Sequence, residues 1–523
     1  MGPVFRYQKS LVILLIITLF CCFVAGAEEE SDTQSDEVGA FNISEPPEIA
    51  ITSDEAENFY LEELRSLVPE GLSIDDKTLN ELFNPVVIES VEDAPFIEEL
   101  SRNGFVVQQG AILKADFILF TELGIVPDAQ GNNADNPYYC MALPRSPNQT
   151  VPNDGEYPNG MCNNFRIRAD EAIVMIGTTP SDMKFYNYMI YLIDRSYGPE
   201  RRLLFAGLGD SINIGDVKGQ TGSRDGFNEP IMIIYSADKT VAERVKSLAE
   251  DAGYPESMIF IKEIPSQMVN MGLEEDDDTF ACNIRTAIYD SPESKKKYME
   301  DVFTMYRAYR VTPEPSEPFD PYPVKDLKIR GTGKSEFGLM NSVNQLRDAI
   351  IAAYPDYSYI EPDTTIWLPE SPEGMHNDEN SYGESRDTPY LGSQNFTLGE
   401  DQFAISYGVN HMASGKAAYS NIVAYGAEKL NGVISVDSTQ FGDSAFRYIP
   451  DDPNAPLLYA YTISRVNSTE PYTMVVPQGP YLEGIPLEDE MWIGWRAYME
   501  PETKVGPASH EIINDKVIVF TPK

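Results

Sequence analysis

Histidine, the side chain best suited to acid–base chemistry near neutral pH, is scarce in this sequence, and its placement narrows what that chemistry would be. Histidine occurs three times, at His376, His411 and His510. A serine nucleophile needs a base beside it and donors for the developing oxyanion. Ser211 follows the apolar run Leu203 to Ala206 closely, in Gly209-Asp210-Ser211-Ile212, where a strand end would present its hydroxyl. Three histidines leave any histidine-based mechanism few options. His411 has the better setting, in Tyr407-Gly408-Val409-Asn410-His411 at the end of an expected strand, with Ser414 and Lys416 in the loop beyond. Gly415-Lys416 is not a phosphate loop, because Ala417 stands where that loop needs Ser or Thr. Oxygen ligands gather elsewhere. Asp378, Asn380, Glu384 and Asp387 crowd one loop beside His376, a set that suits an irregular calcium site, although the EF-hand template fails at Tyr382 and Pro389. No other cofactor is implied.

The run Gly209-Asp210-Ser211-Ile212 resembles the first block of the GDSL (SGNH) esterases, and Gly408-Val409-Asn410 resembles that family's Gly-x-Asn block. The resemblance implies Ser211 as nucleophile, Asn410 as oxyanion donor and a late histidine, His510 or His411, as base. The sequence departs from the pattern where Asn410 is followed by His411 instead of Asp, and where Pro507 takes the place of the acid ahead of His510. Gly-Asp-Ser also recurs at 442–444, and the same tripeptide reads as a turn, with Gly at positive φ and Asp and Ser bonding local backbone. With no complete catalytic set, the first expectation is an extracellular or cell-surface binding protein for a small molecule or surface ligand. A secreted SGNH-like serine ester hydrolase and a cation-bridged structural component of the envelope are the rival classes.

The first thirty residues set the compartment. Arg6 and Lys9 precede an apolar stretch from Leu11 to Val24, and Ala25-Gly26-Ala27 has the small-x-small pattern of signal-peptide cleavage. The chain is expected to be exported, with no membrane insertion after cleavage, because the stretch is short of the roughly 20 residues a span needs. The formal net charge is −44. Such a field repels nucleic acid and anionic lipid, so no nucleic-acid partner is expected. Outside the cell, Cys140 and Cys162 are expected to pair as a disulfide and Cys282 to be a small buried hydrophobe. The acidic run Glu274 to Asp278 reads as a solvated face.

The elements that must position these residues predict an α+β protein. After the signal (1–27) come an acidic linker (28–52) and a helical region (53–104), with helices from Thr52, over Lys77–Phe83 and over Pro95–Arg102. An α+β domain spans 105–312. Within it, residues 170–265 read as strand Ala172–Ile176, helix Ser181–Arg195, strands Leu203–Ala206 and Ile231–Tyr235, helix Val241–Ala252 and strand Met258–Ile261. That order is the ferredoxin-like β-α-β-β-α-β layout. A Pro-rich boundary (313–330) leads to a strand-rich α+β domain (331–523), entered by a helix over Ser335–Ala353. An internal pseudo-repeat is suggested where Asp170-Glu171, a strand and Gly177 match Asp401-Gln402, a strand and Gly408. The polar loops 128–158 and 369–389 are expected on the surface, available for recognition.

Overall fold

A computed structural model of the chain describes residues 65, 68, 74–83, 85, 87–88, 90–134, 137–157, 159–479 and 481–523. The signal segment, the acidic linker and the helix expected from Thr52 lie outside these, apart from the isolated residue 65. The class is α+β.

The first half runs α1 (Asp76–Phe83), α2 (Ala94–Arg102), β1 (Phe105–Gln109), β2 (Ala111–Ala115), α3 (Phe117–Glu122), β3 (Tyr138–Pro144), β4 (Met161–Cys162), β5 (Ala172–Thr178), β6 (Met183–Ser196) and β7 (Arg201–Gly207). It continues through β8 (Ile212–Asn213), α4 (Ile214–Thr221), β9 (Pro230–Ser236), α5 (Lys239–Asp251), β10 (Ile259–Glu263), β11 (Thr279–Tyr289), α6 (Pro292–Met305) and β12 (Tyr306–Pro313). The second half holds α7 (Met340–Ala353), β13 (Tyr357–Ile360), β14 (Thr364–Ile366), α8 (Ser371–Asn377), β15 (Tyr390–Ser393), β16 (Phe403–Val409) and β17 (Tyr419–Gly426). It closes with β18 (Gly432–Asp437), β19 (Leu458–Ser464), β20 (Thr473–Val475), β21 (Met491–Tyr498) and β22 (Lys516–Pro522).

Each half contains two sheets, and the strands pair in the same sequence in both. The order β1-β12-β5-β9-β10 is matched by β13-β22-β16-β19-β20, and β2-β3-β11-β6-β7 by β14-β15-β21-β17-β18. The pairs along these paths are antiparallel, except that β9–β10 and β19–β20 are both parallel.

Period-2 alternation explains the layering. In β5, Ile173 and Met175 face a core shared with the second sheet, whereas Ala172, Val174 and Ile176 face α2 and α5. In β16, Ala404 faces the inter-sheet core and Ile405, Tyr407 and Val409 face α7.

Several expectations are corrected. Residues 183–196 form a strand, not a helix, so the β-α-β-β-α-β layout does not describe 170–265. The run is buried on both faces between β11 and β7, which removes the alternation that marks a half-exposed strand and leaves a length more usual in a helix. Asp116 caps α3, its carboxylate accepting from the Leu119 amide at 3.2 Å. Cys140 and Cys162 are free buried thiols rather than a disulfide. Cys162 lies opposite Leu143 in the β3–β4 ladder, an odd number of residues from Cys140, so the two side chains leave opposite faces of the sheet. Burial pushes both thiols up to about 12. Asp278, in the expected solvated run, is fully buried and bound by Arg195 at 2.9 Å. The loop 369–389 is not a surface feature along its length: it contains α8, and residues 383–389 are buried. Among the described residues no helix is long and apolar enough to cross a membrane.

Candidate functional site

Ser211 sits at the start of β8, and Gly209 at φ 80° turns the chain into it from β7. Its hydroxyl donates to the Asp387 carboxylate, at 2.9 Å from Oδ1 and 2.7 Å from Oδ2. Asn213 donates to Oδ1 at 2.7 Å and Asn187 to Oδ2 at 2.6 Å. The neighbouring Asp210 accepts from Arg386 Nε at 2.8 Å and from the Lys328 amide at 2.6 Å. Asp210 and Ser211 thus grip the dipeptide Arg386-Asp387 of the segment that leads into the second half. At the second tripeptide, Gly442 also has positive φ and Ser444 Oγ accepts from the Ala460 amide of β19 at 3.1 Å, a contact across 16 residues.

His411 belongs to a different network. It is 1% exposed. Nδ1 lies 3.0 and 3.1 Å from the two Glu336 carboxylate oxygens, and Nε2 lies 3.2 Å from Asp515 Oδ2. Burial alone would lower its pKa, but the two carboxylates prevail and push it up to about 10, so the ring is a clamped imidazolium at neutral pH. Asp515 Oδ1 accepts from the Tyr459 hydroxyl at 2.7 Å, and Trp495 Nε1 donates to Ser406 beside Tyr459 at 2.9 Å. Asn410 holds the turn instead of facing a substrate, accepting from the Ala413 amide and donating to the Ser438 carbonyl. Lys416 joins Glu500 at 2.8 Å and Glu511 at 2.5 Å. His510 and His376 are exposed. Among the described residues no hydrogen bond joins Ser211 to a histidine.

The expected oxygen-ligand set is dispersed among separate partners. Asp378 accepts from the Tyr197 hydroxyl, and Asn380 donates to Gln130 at 3.0 Å. Glu384 accepts from the Ser371 amide at 2.8 Å, and Asp387 is taken as described. Burial pushes Glu384 up to about 7. Among the described residues no three His, Cys, Asp or Glu side chains are grouped so as to hold a metal ion.

The structure brings together a set that the motif search missed. Arg285 of β11 faces Tyr138 and Asn187 across its two neighbouring strands, and Arg496 of β21 faces Tyr390 and Asn421 in the same way. Arg285 stacks over Tyr138 at 5.5 Å and Tyr191 at 5.1 Å, and Arg496 over Tyr390 at 5.3 Å and Tyr425 at 5.9 Å. The guanidinium groups cross over between halves: Arg285 donates to the Gly383 carbonyl and Arg496 to the Gly131 carbonyl. Both glycines have positive φ, 61° and 66°, each after a residue also at positive φ, Gln130 and Tyr382. An Asx turn starts each strap, with Asp128 and Asn380 accepting from the amide two residues on. Each strap ends at a tyrosine whose hydroxyl accepts from the amide five residues earlier, Asn133 for Tyr138 and Ser385 for Tyr390. A sequence signal existed: Asp128-x-x-Gly131 and Pro137-Tyr138 recur at the same spacing as Asn380-x-x-Gly383 and Pro389-Tyr390.

No protein-family model matches this chain, and no curated protein is detectably similar to it.

Proposed function

We propose that this chain is an exported binding protein whose two halves are copies of one two-sheet unit. The observation that carries the non-catalytic reading is the separation of Ser211 and His411 into different hydrogen-bond networks, each saturated by buried carboxylates. A nucleophile must share a proton with its base, and here the serine hydroxyl is committed to Asp387 and both imidazole nitrogens to Glu336 and Asp515. The duplication is supported by the matched strand order and by the Tyr–Arg–Asn sets at equivalent ladder positions. Residues that look catalytic in the sequence serve in this reading as the fastenings of a rigid scaffold.

The test is hydrolysis of p-nitrophenyl acetate and butyrate by the full mature chain and by Ser211→Ala. Rates equal to buffer for both proteins are the expected result. Turnover abolished by Ser211→Ala would overturn the reading in favour of the serine hydrolase.

A further inference from the structure

We propose that the groove between α7 and the β13–β14 link binds an amphiphilic carboxylate, its apolar body against Phe337, Met340 and Val343 and its charge on Lys516. The proposal rests on the binding-protein reading and names the ligand class.

Three features of the groove point to a ligand. Phe337 is 50% exposed and Met340 36%, two large apolar side chains that line the same groove. Tyr407 forms part of the lining and is 1% exposed, yet among the described residues its buried hydroxyl has no hydrogen-bond partner. Lys516 is exposed, lines the groove and makes no ion pair or side-chain hydrogen bond among the described residues. The other groove cation, Arg347, is committed to Glu361 and Asp348.

The first half shows what completes such a position. Lys516 faces Tyr407 in the β22–β16 ladder, and Arg307 faces Ile176 in the β12–β5 ladder; Gly408 and Gly177 follow the two facing residues. Arg307 binds the Asp93 carboxylate, Nη2 to Oδ1 at 3.0 Å, and that carboxylate also accepts from the hydroxyls of Tyr309 at 2.7 Å and Tyr254 at 2.9 Å. In the first half one cation and two tyrosine hydroxyls thus surround a carboxylate, while in the second half Ile518 stands at the ladder position of Tyr309 and Tyr407 at that of Ile176. In the second half the cation is present, and among the described residues no carboxylate makes an ion pair with Lys516. The net charge of the protein opposes an anion at long range, but that field is screened beyond about 8 Å at physiological salt. The contact charge then governs orientation, while the apolar wall supplies affinity.

The experiment is calorimetric titration of the full mature chain with decanoate and, separately, decylammonium, both below micelle-forming concentrations. Decylammonium is the control because Glu361 and Asp363 also line the groove. Saturable decanoate binding is expected, weakened at least tenfold in Lys516→Met and severalfold in Tyr407→Phe, and weakened in Phe337→Ala for either probe. Lys516 and Phe337 are surface positions, so unchanged melting temperatures will separate lost binding from lost folding. Decanoate binding unaffected by Lys516→Met, equal binding of decylammonium, or no binding of decanoate would each overturn the proposal. None of these results produces ester turnover, which alone bears on the binding-protein reading.

Discussion

At the scale of single residues, the ionisable groups most suggestive of chemistry carry stability instead. His411 between Glu336 and Asp515 is a buried ion triad, and removing one partner strands a charge in the interior. Glu336→Gln is expected to cost about 3 kcal/mol in urea unfolding at pH 7, the usual result of breaking a buried pair. The pH dependence follows from the raised folded pKa. Stabilisation by His411 is fully present below the ordinary value of 6.5 and is lost as pH rises through about 10, so unfolding free energy should fall over that interval. His411→Gln should start lower and show a flatter profile there. Glu384 has the opposite character: burial raises an acid, from 4.5 to about 7, so the folded state binds the extra proton and stability falls as pH rises between those values. Glu384→Gln should melt higher than the wild type at pH 8 and not at pH 4. None of this was legible locally. His411 was expected as a candidate base, but its partners Glu336 and Asp515 lie 75 and 104 residues away, and the burial and charge partners that shift both groups are properties of the packed chain.

At the scale of elements, the sequence was most readable where a segment has one buried face. The amphipathic helix Lys239–Asp251 falls close to its expected position. It was least readable where burial is two-sided, as in Met183–Ser196, or where polar residues are buried by hydrogen bonds to distant backbone, as in the strap leading to Tyr390. The straps make a specific prediction. A Cβ on Gly383 would lie 2.7 Å from the Phe205 ring and 2.9 Å from Arg285 Nη2, at a φ that L-residues adopt only with strain. Gly383→Val is expected to destabilise by roughly 2–4 kcal/mol through strain plus overpacking. Gly131→Val should do the same, since its Cβ would meet Trp367 at 2.7 Å. Matched losses in thermal melting would support equivalent roles for the two straps; a neutral result at either would contradict them.

At the scale of the whole molecule, the exchange of guanidinium–carbonyl bonds between halves implies that neither half is complete without the other's strap. Calorimetry should give one cooperative unfolding transition for the wild type. The double variant Arg285→Met/Arg496→Met should separate it into two. The net charge of −44 adds a second expectation. Self-repulsion disfavours the compact state and is screened by salt, so the melting temperature should rise between 20 and 500 mM sodium chloride.

Composition, charge, the α+β class and the one-faced elements could be read along the chain, because each depends on residues within a turn or two of one another. The matched strand order of the two halves has a faint counterpart in Asp170–Gly177 and Asp401–Gly408, and the strap motif has a clearer one. What Ser211 and His411 bond to, whether Cys140 meets Cys162 and where the polar loop 369–389 runs could not be read that way. Those outcomes depend on which strands become neighbours, and a side chain's partner, burial and protonation are set by contacts between segments a hundred or more residues apart.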